Sequence, residues 1–112
     1  MTTSVEIFEK KLSQFTGAPY VVTTDCCTHA IELCFRLLDI KSCSFPAYTY
    51  ISVPMTMKLL NVDYKLSDSA WKGQYQFIGT SVWDSARCLQ PDMYKSEQYQ
   101  CLSFGPGKPL NN

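Results

Sequence analysis

An α/β fold, with a mostly parallel sheet and flanking helices, is the structure that this 112-residue sequence predicts. Two observations favour it. Short β-rich segments alternate with segments whose apolar residues recur at helical spacing, and no internal repeat or interdomain linker interrupts that alternation. The length suits one small domain. Such folds bind ligands beyond the carboxyl ends of their strands, so the segments that follow the strands are the candidate sites.

The first helix is predicted from a capping box, in which Thr3 precedes Glu6 by three residues. Gly17 predicts its end, because glycine readily adopts the left-handed conformation that terminates helices. The apolar residues between these two signals recur on one helical face. They are Val5, Phe8, Leu12 and Phe15.

Strands are predicted wherever β-branched and aromatic residues cluster. These segments are residues 20–24, 42–45, 62–66, 76–83 and 99–104. Helices are predicted between them, one after residues 25–28 and one over residues 50–60, where Pro54 suits a first turn. Alternating glycine and proline predict a rigid, kinked loop at residues 105–109.

The composition excludes several classes of function. Ten basic residues balance ten acidic ones, and this neutrality argues against a nucleic-acid partner or a polybasic membrane anchor. No apolar run is long enough to span a membrane, and the first residues lack the pattern of a secretory signal. The sequence therefore predicts a cytoplasmic protein that binds neither nucleic acid nor a membrane.

Six cysteines are present beside a single histidine, His29, and no two cysteines form a C-x-x-C pair. A structural zinc site normally needs four Cys or His ligands in paired spacing, and disulfides suit a secreted context. The sequence therefore predicts no metal, and it predicts reduced thiols that act as small apolar residues.

Four segments follow predicted strands, and the first two suit an anion and a flat ring. Residues 25–28 precede a helix, so their N–H groups and the Thr28 hydroxyl can either bind a phosphate or cap the helix. Tyr50 lies where a strand end meets a helix start. Its ring can stack on a flat cofactor or pack as an ordinary aromatic side chain.

The other two segments contain a carboxylate and an amine. Asp84 ends an apolar strand and can either pair with a cationic ligand nitrogen or cap a helix. Lys108 follows Ser103 by five residues, and a partly desolvated lysine there can form a Schiff base, whereas a solvated one stays inert. An anion loop, an aromatic ring, a carboxylate, a hydroxyl and a lysine, in this order, match what pyridoxal 5′-phosphate requires.

The same segments resemble motifs of a known family. Residues 25–30 occupy the place of its N-S-G-T-A/S-A motif, and residues 45–52 resemble its P-x-x-T-[FYW] segment. Residues 83–87 resemble E-D-A-A-[HQ], and residues 101–108 resemble C-F-S-F-x-x-x-K. On these motifs the sequence is similar to the DegT/DnrJ/StrS group of nucleotide-sugar aminotransferases, which depend on pyridoxal phosphate and have fold-type I.

This resemblance implies a fold and a set of cofactor contacts. Residues 1–112 correspond to an incomplete large domain of a fold-type I transferase, without the C-terminal small domain. Thr28, the backbone at Cys27 and Ser103 would hold the cofactor phosphate. Tyr50 would stack on the ring, and Asp84 would keep the ring nitrogen protonated.

Lys108 and Asp84 are the catalytic residues that the resemblance implies. Lys108 would form the Schiff base and then move a proton between substrate and cofactor, and Arg87 would lie beside the cofactor or the substrate. The implied reaction transfers an amino group from an amino acid to a keto sugar on a nucleotide, in a homodimer. The alternative is a non-catalytic or fragmentary aminotransferase fold that binds pyridoxal phosphate weakly or only self-associates.

Three replacements distinguish this sequence from the family's motifs. Cys27 replaces a glycine, Asp25 replaces an amide, and Arg87 replaces a histidine or glutamine. Glycine lets a backbone approach a phosphate closely, and a carboxylate beside a phosphate is electrostatically unfavourable. The stretch from residue 66 to residue 76 is also shorter than the family's.

Overall fold

Three helices and five short strands form the part of the chain, residues 3–104, that a computed structural model describes. The predicted loop at residues 105–109, with Lys108, lies outside the described residues. The helices are α1 (Ser4–Thr16), α2 (Cys27–Leu37) and α3 (Ser52–Leu59). The strands are β1 (Ser42–Pro46), β2 (Asp63–Ser67), β3 (Tyr75–Gln76), β4 (Val82–Asp84) and β5 (Tyr99–Cys101).

The predicted first helix and both of its end signals are confirmed. The Thr3 side chain accepts from the Glu6 N–H, and the Glu6 carboxylate accepts from Thr3 in return. Gly17 has φ 83° and donates its N–H to the Ser13 carbonyl at 2.9 Å. The apolar face of α1 is only partly covered: Leu12 is buried, whereas Phe8 remains 38% exposed and meets the Phe104 ring edge-on at 5.3 Å.

The strand predicted over residues 20–24 is wrong. The segment is extended but pairs with no described strand, and the Thr23 N–H donates to the Glu9 carboxylate at 2.8 Å. Tyr20 and Val22 are 88% and 79% exposed. β propensity alone cannot form a strand, because the backbone groups need a ladder partner.

The order of the strands places several carboxyl ends at one edge. β1 and β2 are parallel and joined by α3, and β4 and β5 are parallel, whereas β3 and β4 are antiparallel. An antiparallel bridge between Ser44 and Ile78 connects β1 to the segment that continues β3. β1 is antiparallel to this segment, and β3 is antiparallel to β4, so β1 and β4 run in the same direction. The prediction of a mostly parallel sheet thus holds for the β1–β2 and β4–β5 pairs only.

Residues 76–83, which the sequence predicts to contain a strand, form most of a hairpin instead. Gly79 has φ 92°, which turns the chain between β3 and β4. The Thr80 N–H donates to the Phe77 carbonyl at 3.0 Å, and the Phe77 N–H donates to the Val82 carbonyl at 2.9 Å. The apolar run continues through the turn, which is why its composition resembles one uninterrupted strand.

Aromatic rings form the centre of the core, between α2 and the strands. Phe77 is fully buried and meets the rings of Phe35 and Phe45 at centroid distances of 5.1 and 5.6 Å. Cys43 and Cys101 are buried in the same core, as expected for thiols that act as small apolar residues. Burial raises the pKa of the Cys43 thiol to about 11. No helix among residues 3–104 is long and apolar enough to cross a bilayer.

Candidate functional site

Asp84 is the buried carboxylate of the molecule's candidate site. It ends β4 and is only 7% exposed. Tyr75 lies directly opposite it in the antiparallel register, and the Tyr75 hydroxyl donates to Asp84 Oδ2 at 2.9 Å. The Ala86 N–H donates to Oδ1 at 3.1 Å. Hydrogen bonds to both oxygens compensate the cost of burying this carboxylate.

The Tyr75 phenol is held in its protonated form. Burial raises the pKa of Tyr75 well above its usual value, and the charge of Asp84 raises it further. Tyr75 is therefore a hydrogen-bond donor to Asp84 throughout the neutral range.

The start of α2 lies against the same carboxylate. Cys27 is the first residue of this helix, and its Sγ donates to Asp84 Oδ1 at 3.8 Å. The next residue, Thr28, donates its hydroxyl to the Ser52 Oγ at 3.2 Å, and Ser52 begins α3. The amino-terminal ends of two helices thus meet beside the end of β4, and the positive ends of their dipoles favour an anion there.

A lid formed by Arg87 and the rings of Tyr50 and Trp71 covers the hollow in front of Asp84. Arg87 donates from Nη2 to the Tyr50 hydroxyl at 3.1 Å, and both residues line the hollow. The Trp71 ring packs on Tyr75 at 4.9 Å and is anchored by its Nε1, which donates to the Tyr48 carbonyl at 2.9 Å. The space left between them is about 10 Å³, roughly what one water molecule needs.

Four of the residues predicted for the site are brought together. Tyr50, Asp84 and Arg87 line one hollow, and Cys27 reaches it through its contact with Asp84. Thr28 lies beside them at the start of α2. Ser103 follows β5 by two residues, at the edge where β4 ends, because Cys101 pairs with Asp84 in the parallel register. Lys108 lies outside the described residues.

Three further residues of the site escaped the sequence analysis. Tyr75 faces Asp84, Trp71 covers the hollow, and Ser52 is the partner of Thr28. Tyr75 could have been found from the sequence, because it directly precedes the β-rich residues 76–83. A turn at Gly79 then pairs Tyr75 with Asp84. Trp71 and Ser52 reach the site from a loop and from a second helix, and no local pattern signals such contacts.

Residues 1–68 match the model of the DegT/DnrJ/EryC1/StrS aminotransferase family. The chain belongs to this family. The match covers α1 to β2 and so includes the start of α2 and Tyr50, whereas Asp84, Arg87 and Ser103 follow it in the chain. Comparisons with curated proteins and with solved structures return no match.

Aminotransferases of the DegT/DnrJ/EryC1/StrS family generally depend on pyridoxal phosphate. The donor set of the chain suits that group: a buried carboxylate for a ring nitrogen, helix amino termini for a phosphate, and the Tyr50 ring for stacking. The hollow itself holds about one water. Entry of a pyridine ring therefore requires displacement of the lid, whose members Tyr50 and Arg87 are exposed side chains.

Proposed function

We propose that this chain is a pyridoxal-phosphate-binding aminotransferase domain, which transfers an amino group from an amino acid to a keto sugar on a nucleotide. The observation that supports it most is the convergence at Asp84: a buried carboxylate at a strand's carboxyl end, beside a helix amino terminus and an aromatic lid. Family membership supplies the reaction class. The nucleotide-sugar substrate rests on the motif resemblance alone.

Asp84 would act as the hydrogen-bond partner of the ring nitrogen. Pyridoxal phosphate, when bound, supplies an aldehyde for amine exchange and a ring that withdraws electrons. A carboxylate hydrogen-bonded to a ring nitrogen keeps a proton on that nitrogen. Asp84 is held for this by the N–H of Ala86 and the hydroxyl of Tyr75, which fix its orientation. One of these contacts, or that of Cys27, must give way to the ring nitrogen.

The amino-terminal ends of α2 and α3 would form the phosphate site. The hydroxyls of Thr28 and Ser52 are 3.2 Å apart, and each residue belongs to the first turn of its helix. A phosphate there gains from hydroxyl donors and from the helix dipoles. Ser103 would approach from the end of β5, and Arg87 would add a cation at the mouth of the hollow.

Lys108 would supply the reacting amine. It would attach to the cofactor through Nζ and, once released by the incoming amino group, would accept and return the proton of the substrate α carbon as general base and acid. Tyr50 would keep the ring plane in place by stacking. A homodimer would complete the site, as the motif resemblance implies.

The second candidate is a non-catalytic member of the family, which binds the cofactor weakly or only self-associates. Two observations favour it. The hollow is small, and Cys27 and Tyr75 already contact the two oxygens of Asp84. The two candidates differ in one measurable respect. Only the first predicts amino transfer from a donor to the bound cofactor.

The test is a titration with pyridoxal phosphate, followed by visible absorption, on the wild-type chain and on three variants. We expect saturable binding by the wild type and loss of the visible band in Lys108→Ala. Asp84→Asn should keep the band but lose conversion of the cofactor to its amine form by a panel of amino acids. Asp63→Asn, at the exposed start of β2, is the control and should behave as the wild type.

Two results would contradict the proposals. Absence of a saturable band in the wild type overturns cofactor binding altogether. A band without conversion by any amino acid supports the non-catalytic candidate and overturns the aminotransferase, and full conversion by Asp84→Asn removes the role assigned to Asp84.

A further inference from the structure

A second cluster of chemically reactive side chains lies on the outside of the α2 amino terminus. Asp25, Cys26 and His29 each present one ligand atom, and these atoms lie within 4.8 Å of one another. All three residues are exposed. The site at Asp84 takes a different residue of the same turn, Cys27, whose Sγ lies 3.8 Å from Asp84 Oδ1.

The local backbone explains why the three ligands converge. Cys26 is the N-cap residue, with an extended backbone at φ −159° and ψ 164°, and its side chain makes no capping hydrogen bond. Asp25 precedes it, and His29 lies one helical turn further on. The Asp25 Oδ1 and the His29 Nδ1 already meet at 2.5 Å. The Cys26 thiol therefore lies close to both the Asp25 carboxylate and the His29 imidazole.

We infer that Asp25, Cys26 and His29 form a three-ligand site for a thiophilic divalent cation such as zinc. Carboxylate oxygen, thiolate and imidazole are the three ligand types that zinc takes in proteins, and three protein ligands leave a fourth position open. One carboxylate and one thiolate contribute two negative charges, which neutralise the charge of the cation. This neutralisation outweighs the opposing positive end of the α2 dipole, which amounts to about half a charge.

The geometry needs only small side-chain movements. Bonds of about 2.0–2.3 Å in a tetrahedron place the ligand atoms roughly 3.5 Å apart. The cluster spans 2.5 to 4.8 Å, so one pair must separate and the widest pair must close by about 1 Å. The Asp25 and His29 side chains are 74% and 55% exposed, which leaves them free to rotate. Binding releases the Cys26 thiol proton to solvent, and His29 must present a ring nitrogen without a proton, so an imidazolium at His29 releases a second proton.

The sequence predicted no metal because it lacks four ligands in paired spacing. The three-ligand site instead arises at the positions where the chain departs from the family's N-S-G-T-A/S-A motif. Asp25, Cys26 and His29 replace an asparagine, a serine and a small residue. The proposal goes beyond the proposed function and does not depend on it.

The test is a titration of the cofactor-free, reduced chain with Co²⁺, followed by its thiolate charge-transfer absorption, and then with Zn²⁺ as competitor. We expect one equivalent to bind. Cys26→Ser and His29→Gln should each weaken binding by roughly 100-fold or more, since loss of even an outer-shell partner costs about 10–100-fold. Circular dichroism checks that both variants keep their helices.

Two matched variants identify the thiolate. Cys88→Ser removes a thiol elsewhere in the fold and should bind as the wild type does. Cys27→Ser removes the neighbouring thiol, whose Sγ contacts Asp84, and should also bind normally. Absence of stoichiometric binding, unchanged binding by Cys26→Ser, or loss of binding in Cys27→Ser or Cys88→Ser would each overturn the assignment. Because no pyridoxal phosphate is present, failure here is independent of failure of the proposed function.

Discussion

Tyr75 and Asp84 face each other across the β3–β4 pair, with the phenol hydroxyl 2.9 Å from the carboxylate Oδ2. Both side chains are buried, and the hairpin that joins them fixes their register. This pair therefore links the stability of the fold to the chemistry of the site.

Replacement of Tyr75 by phenylalanine should destabilise the fold in a pH-dependent way. At pH 8 the loss of a buried donor to a carboxylate should lower the free energy of unfolding by about 1–3 kcal/mol. The pKa of Tyr75 is raised in the folded state, so its contribution is complete below the unfolded value of about 10. Above that pH the unfolded chain loses the proton that the folded chain keeps, and the contribution falls.

The measurement is urea denaturation of the wild type and Tyr75→Phe between pH 8 and pH 11. The gap between their unfolding free energies should narrow above about pH 10. Tyr20→Phe, at a side chain that is 88% exposed, is the control and should follow the wild type throughout. A gap that stays constant to pH 11 would contradict the assigned role of the phenol.

Replacement of Cys27 by glycine should improve cofactor binding. It removes the side chain whose Sγ contacts Asp84 Oδ1 and restores the residue that lets a backbone approach an anion closely. We expect affinity for pyridoxal phosphate to rise about tenfold, which corresponds to about 1.4 kcal/mol. Equilibrium dialysis measures it.

Cys27→Ser is the matched control for that change, because it keeps a donor of similar size beside Asp84. Its affinity should stay within about threefold of the wild type, or about 0.7 kcal/mol. If glycine and serine have equal effects, the thiol side chain does not restrict the hollow.

Replacement of Tyr50 by phenylalanine should open the lid. The ring that stacks is kept, while the hydroxyl that accepts from Arg87 at 3.1 Å is lost. Exposed charge-assisted contacts are weak, so we expect association of pyridoxal phosphate to accelerate only about two- to fivefold, or about 0.5–1 kcal/mol. Stopped-flow absorption measures the rate.

Tyr48→Phe tests the specificity of this effect. The Tyr48 side chain is 82% exposed, and only its backbone carbonyl holds Trp71. Its association rate should equal that of the wild type. A Tyr50→Phe rate no faster than that of Tyr48→Phe would show that the Arg87 contact does not limit entry.

Replacement of Phe77 by alanine should remove the centre of the core. Its ring is fully buried and meets those of Phe35 and Tyr75 at 5.1 and 5.3 Å. Such truncations cost about 3–5 kcal/mol through lost burial and a cavity. Ile78→Ala, at a neighbour that is 57% exposed, should change stability far less. Thermal unfolding of both variants measures the difference, and equal losses would contradict this description of the core.

Local signals in the sequence predicted the helices well. The Thr3–Glu6 capping box and Gly17 set both ends of α1, and Pro54 falls in the first turn of α3. The pairing of strands was less predictable, since a strand needs a partner strand from another part of the chain. Residues 20–24 have β propensity but no described ladder, and Gly79 divides a run that looks like one strand.

The convergence of three predicted residues follows from one rule. Residues at the carboxyl ends of strands meet at one edge, which is why Tyr50, Asp84 and Arg87 converge. Trp71 and Ser52 were missed because their contacts join distant segments. The cluster at His29 was missed for another reason: its three ligands are too few and too close in sequence for a zinc pattern.

We propose that the amine at position 108 reaches the cofactor held at Asp84. Borohydride reduction of the protein with pyridoxal phosphate, followed by mass spectrometry of the peptides, tests it directly. We expect a single modified lysine, Lys108, in the wild type and no modified peptide in Lys108→Ala. Modification spread over the other lysines, or a Lys108 left unmodified at saturating cofactor, would contradict it.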